Sequence, residues 1–417
     1  MTNTEKKPAL ANSYWPARLT WVAFSYERAI VSILTIALSA AMAFGREERV
    51  DSQGSMELEV PVPPAPVRVG NVPRLVYELR VRNNASHDVH LFQLEVVRAD
   101  ATAERIATVK GSELCANIGH PERNPLSQEP CDIAAGRWAM VYLWLRITPE
   151  VRVPQRFLHK LTFEFQGSSG PSVATIMGAP FQLDSLDPVV LGPPVKGGPW
   201  VAVYDPFLPL GHRRAPYIKD RVVMRIPARF AIDWIKLDQT GKASVGASLA
   251  LSSFYGFGEE VLAVADAKVV AVRDGYADES TDSPTERRKP RPEDVAGNYV
   301  SLDLGRGRFA FYEHLKKGTI QVKTNQVVKA GQVIARLGRS GINSSGPHLH
   351  FHVSDLDSPL DAEGRPYVFR SFHLLGAYKS AENAESGATW SSVRDIGNSV
   401  RLEEMPEPNW VVAFEDK

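Results

Sequence analysis

The sequence predicts a mainly β protein with two folded domains. Three observations carry that reading. Apolar residues recur at every second position in several short stretches, no long stretch carries a helical period, and the 30 glycines and 30 prolines supply many turns. At 417 residues the chain is long enough to bury two or three cores. Lys+Arg and Asp+Glu are both 48, so the net charge is zero, which argues against the basic surface that duplex nucleic acid requires. A hydrophobic content of 44% with 23% charged residues excludes wholesale disorder. Two cysteines are too few for a disulfide scaffold or an all-cysteine zinc site.

Residues 1–45 read as a signal peptide or a short anchor. Lys6, Lys7, Arg18 and Arg28 precede an uncharged apolar run, Ala29–Phe44. As a helix this run reaches about 24 Å, short of the ~30 Å hydrocarbon core. It ends in Ala41-Met42-Ala43, the A-x-A form of a cleavage site. The long leader, with Trp15 and Trp21, leaves an uncleaved anchor open. Either reading exports the body to the periplasm or cell envelope, with membrane contact only through this segment if it is kept. Cys115 and Cys131 then stand in an oxidising compartment, where they can pair across a short loop.

Residues 57–185 predict an immunoglobulin-like β-sandwich. Leu75, Tyr77, Leu79 and Val81 share one face of a strand, with Glu78, Arg80 and Arg82 on the other, before an Asn83-Asn84 turn. Met140–Arg146 and Leu161–Phe165 alternate likewise. The histidines of this domain share no spacing and suggest no site. Residues 186–200, with Gly192-Pro193-Pro194 and Gly197-Gly198-Pro199, read as a linker. Residues 201–375 form the second domain, interrupted by a polar, proline-rich insertion at about 277–295 that reads as a surface loop. Residues 376–417 read as a loosely packed tail.

The chemistry concentrates in the second domain. In Pro347-His348-Leu349-His350-Phe351-His352-Val353 the alternation sends three imidazoles to one face and three apolar side chains to the core. Neighbouring imidazoles on a rigid strand can meet around a metal ion, or divide duties between ligand and acid/base. In Arg229-Phe230-Ala231-Ile232-Asp233-Trp234, strand alternation would put Arg229 and Asp233 on one face, with Phe230, Ile232 and Trp234 buried. His314 follows the apolar stretch Phe311-Tyr312-Glu313.

Five strings, FGEEVLAVADAKVVAV, GNYVSLDLG, FAFYEHL, VVKAGQVIARLGRSG and PHLHFHV, make the segment from about Tyr255 to Val353 resemble the lysostaphin-type (LytM-like) zinc endopeptidases that cut peptidoglycan cross-bridges. The resemblance implies an antiparallel β peptidase domain with a groove, a zinc ion, and peptidoglycan peptides as substrate. It implies Asp233 and His350 as metal ligands, His348 as the base or oxyanion-stabilising histidine, and His314 as its partner. His352 would stand behind them. The first ligand of the family's His-x-x-x-Asp falls at Arg229, and a guanidinium cannot bind zinc. Three outcomes stay open: His212 completes the set from another part of the chain, another residue such as His352 does, or the domain is metal-free. The functional expectation is therefore a zinc metallo-endopeptidase of peptidoglycan. The alternative is a degenerate, metal-free domain that binds peptidoglycan or activates a partner hydrolase, with a further envelope protein as a possible partner of the sandwich.

Overall fold

The computed structural model describes residues 56–415 apart from 103, 121–130, 148–155, 168–169, 209–210, 220–222, 247–249, 279–293, 343–345, 386–387 and 393–398. The leader and most of the 277–295 insertion therefore lie outside the described residues. Among the described residues no helix is long and apolar enough to cross a membrane. The protein is mainly β, and its strands pair antiparallel except for Val189–Leu191 beside Tyr367–Ala377.

The N-terminal part is two five-stranded sheets. The first runs Met56–Glu59, Val72–Asn83, Trp138–Arg146, Ile118–Gly119, with Val67–Val69 beside Val72–Asn83. The second runs Gly170–Gln182, Arg156–Gly167, Val89–Arg98, Arg105–Lys110, with Asp132–Ile133 beside Val89–Arg98. Leu75, Tyr77, Leu79 and Val81 face one core with Leu94, Val96 and Leu161, so the period-two pattern marks the inner face correctly. The outer face is covered around Val76 and Glu78, whereas Arg82 is exposed. Val76 joins the core of the C-terminal part, and Glu78 is only 3% exposed. A disulfide joins Cys115, on the short helix Gly111–Ala116, to Cys131, with Cα atoms 4.7 Å apart.

The C-terminal part is built on one twelve-stranded sheet. Its order is Val189–Leu191, Tyr367–Ala377, Trp410–Phe414, Gly197–Val203, Ile232–Lys236, Leu349–Ser354, Phe309–Glu313, Tyr299–Asp303, Ala267–Arg273, Val327–Val328, with Ser391–Ser392 and Val400–Glu404 also paired to Tyr367–Ala377. Two expected boundaries give way here. Residues 186–200 are not a free linker, because Val189–Leu191 pairs in parallel with Tyr367–Ala377 and Gly197–Val203 lies inside the sheet. The apolar residues Val189, Val190, Leu191 and Trp200 outweigh the Pro/Gly punctuation between them. Gly198 is there for close approach, since a Cβ would stand 2.7 Å from that of Ala413. Nor is the stretch after 376 a loose tail. Trp410–Phe414 pairs on both sides, and Val411 and Val412 are fully buried. Its apolar run is only five residues, set behind the polar Glu403–Asn409, so it leaves little periodicity to read.

A third correction concerns Arg229. The strand begins at Ile232, and residues 227–230 form a turn closed by Ala231 N–H to Ala228 O at 3.0 Å. Alternation therefore does not reach back to Arg229, and it shares no strand face with Asp233.

Candidate metal centre

Strand register assembles the centre of the site. Asp233 pairs directly with His350, and His350 with Glu313, so the three stand in a row across adjacent antiparallel strands. Directly opposed residues hold their Cβ atoms about 5 Å apart. The strand Leu349–Ser354 is buried on both faces: Leu349, Phe351 and Val353 enter the core, while His350 and His352 look the other way.

His212 arrives from outside the sheet, on the three-residue 3-10 turn His212–Arg214. Its Nε2 lies 3.1 Å from Asp233 Oδ2. His350 Nδ1 lies 2.9 Å from Asp233 Oδ1, and the two imidazole centres are 4.6 Å apart. The donor atoms of His212, Asp233 and His350 all lie within 4.8 Å of one another. The carboxylate keeps 17% of its side-chain surface open to the cavity. Two imidazole nitrogens converging on one carboxylate form a donor set of the kind that holds zinc.

His348 and His314 flank this set. His348 donates its Nδ1–H to the Gly346 carbonyl at 3.0 Å, and its Nε2 lies 3.4 Å from Asp233 Oδ1. His314 donates its Nδ1–H to the Ser340 carbonyl at 2.8 Å, which fixes the tautomer and leaves Nε2 to exchange protons. Their ring centres are 4.9 Å apart. His314 has φ 62°, a left-handed conformation uncommon for a side chain of this kind, held by its N–H bond to Ala296 O at 3.1 Å.

The electrostatics follow from burial and these neighbours. Burial would raise the Asp233 carboxyl, but the imidazoles of His212 and His348, with hydrogen bonds from His212 and His350, hold it well below the ordinary value. Burial pulls the His212 imidazole down, and Asp233 more than offsets this, leaving it raised. Burial lowers His350 and drives His314 well below the usual histidine range, so His314 is neutral at pH 7. A cavity of about 380 Å³ opens over the group. Leu208, Val295, Ile342 and Leu360 give its walls an apolar component.

Arg229 is turned elsewhere. Its Nε donates to Glu78 Oε2 at 3.0 Å, and its Nη2 lies 2.9 Å from both Glu78 Oε2 and Glu363 Oε2. His352 stacks on Phe311, with ring centres 5.0 Å apart and planes at 5°, and both of its buried ring nitrogens lack a hydrogen-bond partner. It is not one of the His212–Asp233–His350 group, but its ring lies 5.3 Å from that of His350 and it forms a second potential group with Glu313 and His350, again within 4.8 Å.

Glu313 is a residue that sequence reasoning passed over. It is buried, lines the cavity, and its carboxyl is pushed up to about 8 by burial. The signal was a lone acid in Phe309–His314, where every neighbour is aromatic, small or histidine.

Comparison with known proteins covers part of this site: the segment matched below includes His314, His348 and His350 but neither His212 nor Asp233. The family model described as Peptidase family M23 matches residues 251–362. The peptidoglycan DD-endopeptidase ShyB of Vibrio cholerae serotype O1 is 43% identical over 72 residues, 17% of this chain. That match spans 16% of the length of ShyB. The catalytic domain of the antimicrobial peptidase lysostaphin from Staphylococcus simulans is 21% identical, covering 41% of this chain and 88% of that one, with a TM-score of 0.23. A zinc-containing peptidase from Vibrio cholerae is 17% identical, covering 77% and 88%, with a TM-score of 0.21. TM-scores this low carry no argument about function.

Proposed function

We propose that this chain, whose residues 251–362 form a peptidase family M23 segment, is a zinc metallo-endopeptidase that cleaves peptide cross-links of peptidoglycan. The observation that carries the reading is the convergence of His212, Asp233 and His350 within 4.8 Å, which supplies the three ligands of a catalytic zinc without Arg229. When bound there, zinc supplies a Lewis acid that polarises a peptide carbonyl and acidifies water.

The remaining work belongs to this chain's own side chains. His348 and His314 each have Nδ1 engaged by a backbone carbonyl, so Nε2 is the nitrogen at which a proton is taken up or released. Held neutral by burial, His314 can accept a proton or share one with His348. The cavity seats the substrate backbone, and its apolar wall contacts the peptide's side chains. In a metal-free site Arg229 would be expected to neutralise Asp233. Arg229 pairs instead with Glu78 and Glu363, which favours the enzyme. Export, by the leader at residues 1–45, puts the protein in the periplasm or cell envelope with its substrate.

The test is the zinc content of the purified, tag-free protein together with release of soluble peptides from purified peptidoglycan, with and without chelator. One zinc per chain and chelator-sensitive release are expected. Binding to peptidoglycan with no zinc and no release would overturn the reading in favour of the degenerate domain.

A further inference from the structure

We propose that Glu78, on the N-terminal sheet, is a positioning residue of the metal centre: it fixes the turn that presents His212, so that the N-terminal sheets are part of the zinc site. The inference rests on the reading of His212 as a zinc ligand and extends it to the other half of the molecule.

The geometry is specific. His212 sits on a three-residue turn, closed within itself by one backbone bond, Arg214 N–H to Gly211 O at 2.8 Å. A turn this short does not hold a side chain to the half-ångström tolerance of a functional site, and loops do so less well than strands. The support comes from the N-terminal sheet. Arg213, only 2% exposed, donates through Nε to Glu78 Oε1 at 2.8 Å. Its Nη2 donates to the carbonyls of Tyr77 at 2.6 Å and Leu143 at 2.9 Å. Tyr77 and Leu143 are opposed residues on paired strands, so one guanidinium is clamped across two strands of one sheet. Arg214 adds a bond to Ala116 O at 2.6 Å and lies 5.0 Å from the Tyr142 ring.

The same carboxylate reaches the other ligand-bearing segment. Glu78 Oε2 accepts from Arg229, four residues before Asp233. Glu78 thus ties together the two stretches that supply His212 and Asp233, one oxygen to each. A purely structural ion pair would not need to join these two segments rather than any others on the interface. The arrangement also explains how the site does without a histidine at position 229: the residue there anchors the centre instead of binding the metal.

The experiment uses the full chain and reads zinc affinity by competition with a chromophoric chelator, alongside thermal unfolding of the zinc-free protein. Glu78→Gln is expected to weaken zinc binding about 10- to 100-fold, the usual effect of removing an outer support of a metal ligand. Glu95→Gln is the control. Glu95 is equally buried in the second N-terminal sheet, pairing with Lys160 at 3.0 Å and Arg105 at 3.3 Å, and touches neither ligand segment. It should lower stability and leave zinc affinity within about twofold of the unaltered chain. If Glu78→Gln does not fold, Arg213→Lys keeps the charge, loses the fork, and should give the same loss of zinc affinity. A folded Glu78→Gln or Arg213→Lys with unaltered zinc affinity overturns the proposal, as does an equal loss in Glu95→Gln. His212→Ala separates the two readings: unaltered zinc affinity there overturns the ligand assignment itself, and the role of Glu78 with it.

Discussion

Arg229 and Asp233 are four residues apart in the chain and belong to different networks. Arg229 is held by Glu78 and Glu363, whereas Asp233 is held by His212, His348 and His350. An arginine where a metal ligand was expected thus need not mean that the metal site is lost.

The two inner histidines and the two outer ones should separate in a mutant series. His212→Ala and His350→Ala are expected to remove both zinc and cleavage, because each takes away one of three ligands. His348→Ala should retain zinc and lower kcat by about 10²- to 10⁴-fold, the range for a lost general acid or base. Zinc analysis with peptide-release kinetics on the same preparations checks both.

Acid should weaken the N-terminal sheets through His159. Burial holds this imidazole down to about 4, with its ring nitrogens engaged by the Tyr77 hydroxyl at 2.9 Å and the Ala179 carbonyl at 3.2 Å. Unfolded, it titrates near the ordinary 6.5. Between those values only the unfolded chain takes up the proton, so stability falls as pH drops from about 6.5 to 4, by up to about 3 kcal/mol. Denaturant titration at pH 7 and pH 5 should show this slope, and His159→Gln should flatten it.

Glu313 should act in the opposite direction. Its folded carboxyl is raised to about 8, so between roughly 4.5 and 8 the folded, zinc-free protein holds a proton that the unfolded chain has released. Stability from this group declines as pH rises through that window. Glu313→Gln keeps the shape without the ionisation, and is expected to stabilise the zinc-free protein at pH 8 by up to about 5 kcal/mol. No change between the two proteins at pH 8 would show that the carboxyl ionises freely in the folded state.

The last strand should be indispensable. Removing residues 409–417 exposes the sites of Val411, Val412 and Phe414, each worth about 1.5–3 kcal/mol when buried. It also takes away the strand that lies between Gly197–Val203 and Tyr367–Ala377 and pairs with both, and the sum rivals the whole net stability of a domain. The shortened chain is expected to give no cooperative thermal transition by circular dichroism.

Reducing the Cys115–Cys131 bridge, which spans 16 residues, should cost about 3 kcal/mol by loop entropy. A shift in the denaturation midpoint on adding reductant measures it.

The parts of this fold legible in the sequence are those where burial has a clear period. Leu75–Val81 showed its inner face by alternation, and the three histidines at 348, 350 and 352 announced a strand with one polar side. Illegible parts depend on contacts between distant segments. Nothing local marks Glu78 as buried, because the surface that covers it comes from Arg213 and Arg229 more than a hundred residues later. His212 could be nominated by elimination among histidines, but its placement rests on how an irregular turn packs. Trp410–Phe414 and Val189–Leu191 are short, flanked by prolines and charges, and become strands only because the sheet offers them edges.

Glu78, Glu363, Arg213 and Arg229 bring two negative and two positive charges into one water-excluded seam. Their sum is zero, and burial leaves them only weakly screened by mobile ions. This part of the join between the two halves of the molecule should therefore respond less to ionic strength than the exposed ion pairs do. The turn that carries His212 is therefore expected to keep its place in dilute and concentrated salt alike.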